Sequence, residues 1–174
     1  NIFMGYEMIK SYQDHDPQLH ETVYIAHGAW VIGRVAMGED SSAFYNTVIR
    51  GDVSTITIGE RTNIQDNSTL HVNKKDPLTI GSDVTVGHNG IVHGCTVKDR
   101  VMIGMGAIIL DRAVIESDCF VAAGSLVAPG KTFPPGSMIM GSPAKAVRQL
   151  SQEEIDNIVR VAAHYVELKD SYRK

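Results

Sequence analysis

Cysteine is nearly absent from this chain: Cys95 and Cys119 are the two among 174 residues, and neither has a metal-like spacing. A disulfide-stapled scaffold and a cysteine zinc motif are therefore excluded, and both residues read as structural thiols. Blocks of Lys or Arg are also missing, and the net charge of −4 argues against a nucleic-acid surface. No apolar run reaches the length of a membrane-spanning helix, so no span is expected. Asn1–Lys10 lacks the basic start and apolar core of a secretory signal, and Asn1-Ile2-Phe3 ahead of Met4 reads as a processing remnant. A cytoplasmic location is the expectation. With 43% apolar residues and mean hydropathy near zero, residues 1–174 are expected to form one soluble globular domain.

What the chain has in abundance is a period. A branched apolar residue recurs every six positions through Ile25, Val31, Met37, Ala43 and Ile49, then Ile58, Ile64 and Leu70. The series resumes at Ile80, Val86 and Val92, and runs on through Val97, Ile103, Ile109, Ile115, Val121 and Val127. All but Met37 and Ala43 are Ile, Val or Leu. Three slips interrupt it: three extra residues after Ile49, four after Leu70, and one missing before Val97. Four residues after each of these starters the position is mostly small or β-branched: Ala29, Val35, Ser41, Thr47, Thr62, Ser68, Gly90, Thr96, Ala107, Ala113, Cys119 and Ser125. A hexapeptide period of this kind is the signature of a parallel β-helix, over about 20–145 here.

Three hexapeptide turns make one triangular coil, so residues three turns apart stack with a spacing of about 4.8 Å. Counting turns places Arg50, His71 and His93 in one column, each immediately after a starter. His88 follows a different starter, Val86, and belongs to another face, with Asp66 as its column partner. Imidazoles one coil apart can converge on a metal, since Zn–N bonds of about 2.0–2.1 Å span the gap. A third ligand on the same face is absent. His88 can join only from a second subunit, and a cyclic trimer lets unlike faces meet around a ring. The expectation is a homotrimer with His71 and His93 of one chain and His88 of the next at each interface. His15, His20, His27 and His164 carry no such relation and read as solvated.

The repeat is expected to end near Val127, with Pro129-Gly130 and Pro134-Pro135-Gly136 as loops. Ser151 and Glu154 form a capping box, and Ile155, Ile158, Val159, Ala162, Tyr165 and Val166 then recur at helical spacing. A C-terminal helix over about 152–169 is predicted, packing on the β-helix of its own or a neighbouring subunit.

The ordered set Arg50-Gly51-Asp52-Val53, Asn63-Ile64-Gln65-Asp66, Leu70-His71, Gly87-His88 and Val92-His93-Gly94-Cys95 resembles the γ-class carbonic anhydrases. Ile103-Gly104-Met105-Gly106-Ala107 and Gly141-Ser142-Pro143-Ala144-Lys145 extend the resemblance over nearly the whole chain. It implies an all-β fold, a left-handed parallel β-helix with a C-terminal α-helix, assembled as a trimer with interfacial metal. It further implies Gln65 as the residue orienting hydroxide and Asn63 as a second residue lining the pocket. Arg50 is implied to pair with Asp52 and Asp66 at the subunit boundary, where it could also take bicarbonate. A C-terminal-helix tyrosine reaches the metal pocket in that family, so Tyr165 reads either as such a residue or as ordinary core.

Three imidazoles with an open fourth position suit a catalytic metal that ionises water, with Zn, Fe or Co equally compatible. The implied reaction is reversible hydration of carbon dioxide to bicarbonate, and no membrane or nucleic-acid partner is expected. One departure stands out. The family's best-studied type carries acidic residues that export the proton, whereas this chain has Val53 and the short basic segment Val72-Asn73-Lys74-Lys75-Asp76-Pro77. Two alternatives remain: a hexapeptide-repeat acyltransferase, which shares the bare repeat and the Pro143-Ala144-Lys145 ending, and a slow or non-catalytic metal-binding trimer with esterase or thioesterase side activity.

Overall fold

The computed structural model describes residues 8–173; Asn1-Ile2-Phe3 lies outside them. Short strands stack into three faces. The first contains Trp30–Met37, Val48–Ile58, Thr69–His71, Ile91–His93, Ile108–Ile109 and Leu126–Val127. The second half of Val48–Ile58 turns a corner onto the second face, where it pairs with Leu78–Ile80, followed by Thr96–Val97 and Val114–Ile115. The third face stacks Tyr24–Ile25, Ser42–Ala43, Asn63–Ile64, Thr85–Val86, Met102–Ile103, Phe120–Val121 and Ser137–Gly141. All neighbours on this ladder are parallel, and each pairs with the strand one coil away. The architecture is a parallel β-solenoid of the left-handed β-helix type.

The physical reason is visible in the starters. Each from Val31 to Val127 points inward and is at most 3% exposed, so branched side chains stack from coil to coil along one core. Polar residues in the inward slots are satisfied across the coils: the hydroxyls of Ser41, Thr47, Thr62 and Ser68 donate to the carbonyls of Gly59, Gln65, Gly81 and Gly87. No buried side-chain donor or acceptor among the described residues lacks a partner.

Corners need left-handed backbone, which Asn and Asp tolerate best after glycine. One ridge holds Asp40, Arg61, Asp83, Arg100 and Asp118, all with φ between 51° and 62°. Their charges alternate, and each arginine grips the aspartate of the next coil with two nitrogens: Arg61 with Asp83 at 2.8 and 3.1 Å, Arg100 with Asp118 at 2.7 and 3.2 Å.

Several expected boundaries shift. Pairing begins before residue 20, because Ile9–Lys10 and Gln18–Leu19 lie parallel to Trp30–Met37. Nor does the repeat stop at Val127. Phe133 and Ile139 continue the six-residue series into the core, and Met138 and Ile139 pair with Phe120 and Val121. Pro129 and Pro134-Pro135 sit beside the left-handed corners Gly130 and Gly136, so they shape turns without ending the coil. Thr96 is partly exposed, and Cys95 takes the inward slot at 2% exposure. The single-residue deletion before Val97 causes this, by moving the slot one position earlier.

Helix α1 spans Gln152–Tyr172, three residues beyond the expected end. Its last turn is tied down. Tyr172 stacks on Tyr24, Lys169 is buried against Asp40 at 3.0 Å, and Arg173 donates to the carbonyls of Thr22 and Glu21. The helix packs on the third face, against Asn63–Ile64 and Thr85–Val86. At its start Ser151 accepts from the Glu154 amide at 3.2 Å, and Glu154 accepts from the Ser151 amide at 2.8 Å. No helix among the described residues is long and apolar enough to cross a membrane.

Ile103→Ala should lower stability by about 2–5 kcal/mol in urea denaturation, since a fully buried side chain leaves a cavity. The Glu154 carboxyl is held at about 2, first by the Arg148 guanidinium and then by the Ser151 amide. Its contribution is therefore complete above the unfolded value of about 4.3 and is lost as pH falls through about 2. Glu154→Gln should show a shallower acid limb over that window in pH-dependent thermal unfolding.

Candidate metal centre

His71 and His93 are register partners on adjacent strands of the first face, and Arg50 precedes them in the same column, as turn counting expects. Strand pairing holds the two imidazoles side by side, with ring centroids 5.1 Å apart and His71 Nδ1 3.1 Å from His93 Nε2. The outer nitrogens are both occupied. His71 Nε2 meets Asp52 Oδ1 at 3.0 Å, and His93 Nδ1 meets Asp111 Oδ1 at 2.5 Å. A carboxylate only accepts, so each of those nitrogens carries a proton, and in the neutral ring its partner nitrogen keeps a lone pair. Two lone pairs then face each other at hydrogen-bonding distance, an arrangement that a cation between them relieves. Nitrogens bonded to a tetrahedral ion at about 2.0–2.1 Å stand about 3.3 Å apart, close to the separation here. The donor set fits a metal.

His88 has an acid beside it as well, with Nδ1 3.0 Å from Asp66 Oδ2, an ion-pair contact without the hydrogen bond that fixes the other two rings. It lies in the turn Gly87–Gly90, at the ridge between the third and first faces. His71 and His93 close the opposite edge of the first face. At about 3.3 Å per residue the strand between them keeps His88 on the order of 10–15 Å away. Among the described residues of one chain, no three His, Cys, Asp or Glu side chains gather as a metal group.

Within the chain Arg50 pairs with Asp52, and Asp66 lies beside His88. The Asp52 carboxyl feels burial most, which pushes it up, but His71, the Val53 amide and Arg50 together bring it down to about 2. Asp111 likewise feels burial first, yet His93 and Asn73 hold it below the usual carboxylate range. Asp111 was not legible as a site residue. The available signal was positional: it sits one coil from Gly94, whose backbone is left-handed and where a Cβ would stand 2.4 Å from Asp111 Oδ1.

Gln65, His88 and Tyr165 border one cavity of about 340 Å³, otherwise walled largely by Met102, Phe120 and Val161. Asn63 is buried behind it. Its Nδ2 donates to Thr85 Oγ1 at 2.9 Å and faces the Val84 carbonyl at 3.5 Å, so Oδ1 must turn towards Gln65. Gln65 Nε2 donates to that oxygen at 3.1 Å, which leaves Gln65 Oε1 as the acceptor exposed to the cavity. Tyr165 packs edge-on against Phe44 at 5.4 Å and lines the cavity beside Gln65 and His88.

No family model matches the chain. Among curated proteins it is 46% identical over 166 residues to a carbonic anhydrase of Geobacillus kaustophilus, covering 95% of this chain and 91% of that one. It is 45% identical over 161 residues to mitochondrial gamma carbonic anhydrase 2 of Arabidopsis thaliana, covering 89% of this chain. The chain spans 58% of that plant relative's length. Among solved structures, a Bacillus cereus protein described as a candidate acetyltransferase matches with a TM-score of 0.93 at 44% identity, over 94% of this chain and 95% of that one.

Burial and the nearby Asp111 push the Cys95 thiol up to about 12. Thiolate is the reactive form. Cys95 should therefore resist Ellman's reagent at pH 8 in the folded chain and react only after unfolding, as read by mass spectrometry of the labelled peptide.

Proposed function

The chain belongs to the γ-class carbonic anhydrase family, and on that premise we propose that it interconverts carbon dioxide and bicarbonate at a metal held between chains of a homotrimer. His71 and His93 of one chain and His88 of the next would hold the ion. The observation that carries this reading is the register-matched histidine pair: Asp52 and Asp111 each bond the outer nitrogen of His71 and His93, and the inner nitrogens converge at 3.1 Å. When bound, the ion supplies a nucleophile at neutral pH by lowering the pKa of water to about 7, a value established for carbonic anhydrase itself.

The trimer has a physical basis on the first face. Trp30, Val48, Thr69, Ile91, Ile108 and Leu126 stack outward along it, largely apolar, while α1 covers the third face. A second copy covering this stripe would bring its own ridge towards His71 and His93.

The chain's own groups divide the remaining work. Gln65 Oε1 offers an acceptor to a hydroxyl at the cavity, its polarity set by Asn63 and the Val84 carbonyl. Met102, Phe120 and Val161 give a neutral, apolar substrate a dry wall. Arg50, half exposed beside Asp52, is placed to attract the bicarbonate anion. At the two positions where the family carries a proton-exporting acid, Val53 cannot ionise and Asp76 is already bonded to Asn73 and Arg112.

The description of the Bacillus cereus neighbour favours acyl transfer as a second reading. Acetyl-coenzyme A binding in a calorimeter by metal-free protein would support it.

Metal analysis should find one ion per chain, and native mass should be three times 19.0 kDa. Stopped-flow assays should show hydration that rises with buffer concentration and that falls to background in His88→Ala. A metal-loaded trimer showing only the background rate would sink the proposal.

A further inference from the structure

We propose that Asn73 and Asp111 are positioning residues for His93, and that the insertion after Leu70 is the strut that carries Asn73 to that task. This rests on the reading of His71 and His93 as ligands. The segment that lacks a proton-exporting acid is not loose. Val72 and Leu78 anchor its two ends in the core at 1% exposure. Between them Asn73 Oδ1 accepts from the amides of Lys75 and Asp76 at 2.9 and 3.1 Å. Because those partners only donate, the orientation of the Asn73 amide is unambiguous, and Nδ2 must face acceptors. It donates to Asp76 Oδ2 at 2.6 Å and to Asp111 Oδ2 at 2.8 Å. Arg112 Nη1 donates to the same Asp76 oxygen at 2.9 Å.

Asp111 is thus gripped at both oxygens: Oδ2 by Asn73, Oδ1 by His93 Nδ1. A lone aspartate could rotate about its side-chain bonds, but a second fixed partner holds the plane of the carboxylate. The consequence is a single tautomer, with the proton on His93 Nδ1 and the lone pair of Nε2 aimed at His71. The geometry also couples the two imidazoles along a short path. His71 is two residues before Asn73, Asn73 meets Asp111, and Asp111 meets His93. Gly94 completes the device, since a side chain there would collide with Asp111 Oδ1 and with the Asp76 carbonyl, 2.4 and 3.1 Å from its Cβ.

The test uses the full chain stripped of metal, with long-range nitrogen–proton NMR of the imidazoles, and then Zn²⁺ affinity by competition with a chromophoric chelator. In the unaltered chain His93 should hold its proton on Nδ1 alone. Asp111→Ala should give a tautomer mixture and weaken Zn²⁺ binding about 10–100-fold. Asn73→Ala, which keeps the carboxylate, should show the same changes to a smaller extent and serves alone should Asp111→Ala fail to fold. An unchanged His93 tautomer in the folded variants would overturn the inference, as would altered tautomers with Zn²⁺ affinity within twofold of the parent. If the unaltered chain binds no Zn²⁺ yet its His93 tautomer responds as expected, the positioning role stands and the metal reading falls.

Discussion

Coil-to-coil register governs this molecule. Each strand bonds to the strand one full coil away, so a residue keeps its column only if the number of residues per coil is respected. Where the chain has too many, the excess must leave the wall. The three extra residues after Ile49 are taken up in the long strand Val48–Ile58, whose pairing with Trp30–Met37 shifts register between Gly33 and Val35. The excess after Leu70 leaves the wall as the segment Asn73–Pro77, between the buried Val72 and Leu78. Both departures follow members of the histidine column. They deliver Asp52 to His71 and Asn73 to Asp111. The His71–His93 pair is supported where the repeat is broken, by side chains that the two insertions bring in.

Much of this was legible in the sequence, because stacking turns period into position. Turn counting alone paired His71 with His93 and Asp66 with His88, and both pairings hold. The capping box at Ser151 was equally plain. What stayed hidden depends on geometry that spacing does not carry. Phe133 and Ile139 escaped because prolines beside corner glycines look the same as loops. Cys95 escaped because one deletion moves an inward slot by one residue and so reverses which neighbour is buried. Asp111 looks on paper like any corner acid; only the left-handed Gly94 above it opens the path to His93. The end of α1 was short because the apolar spacing runs out at Val166, while the last turn is held by the buried Lys169 against Asp40.

The same electrostatic economy recurs across the solenoid. Exposed ion pairs contribute little by themselves, roughly 0–1 kcal/mol each. Here their value is in aim. Carboxylates orient imidazoles, an amide pair orients Gln65, and arginines tie one coil to the next. Each case fixes a direction that an apolar contact leaves free.

The ridge of Asp40, Arg61, Asp83, Arg100 and Asp118 imposes parity on the architecture. Lengthening the solenoid by one duplicated coil would set two like charges against each other at that ridge, whereas duplicating two coils would preserve the alternation. Engineered variants of this scaffold should therefore tolerate even increments of length more readily than odd ones.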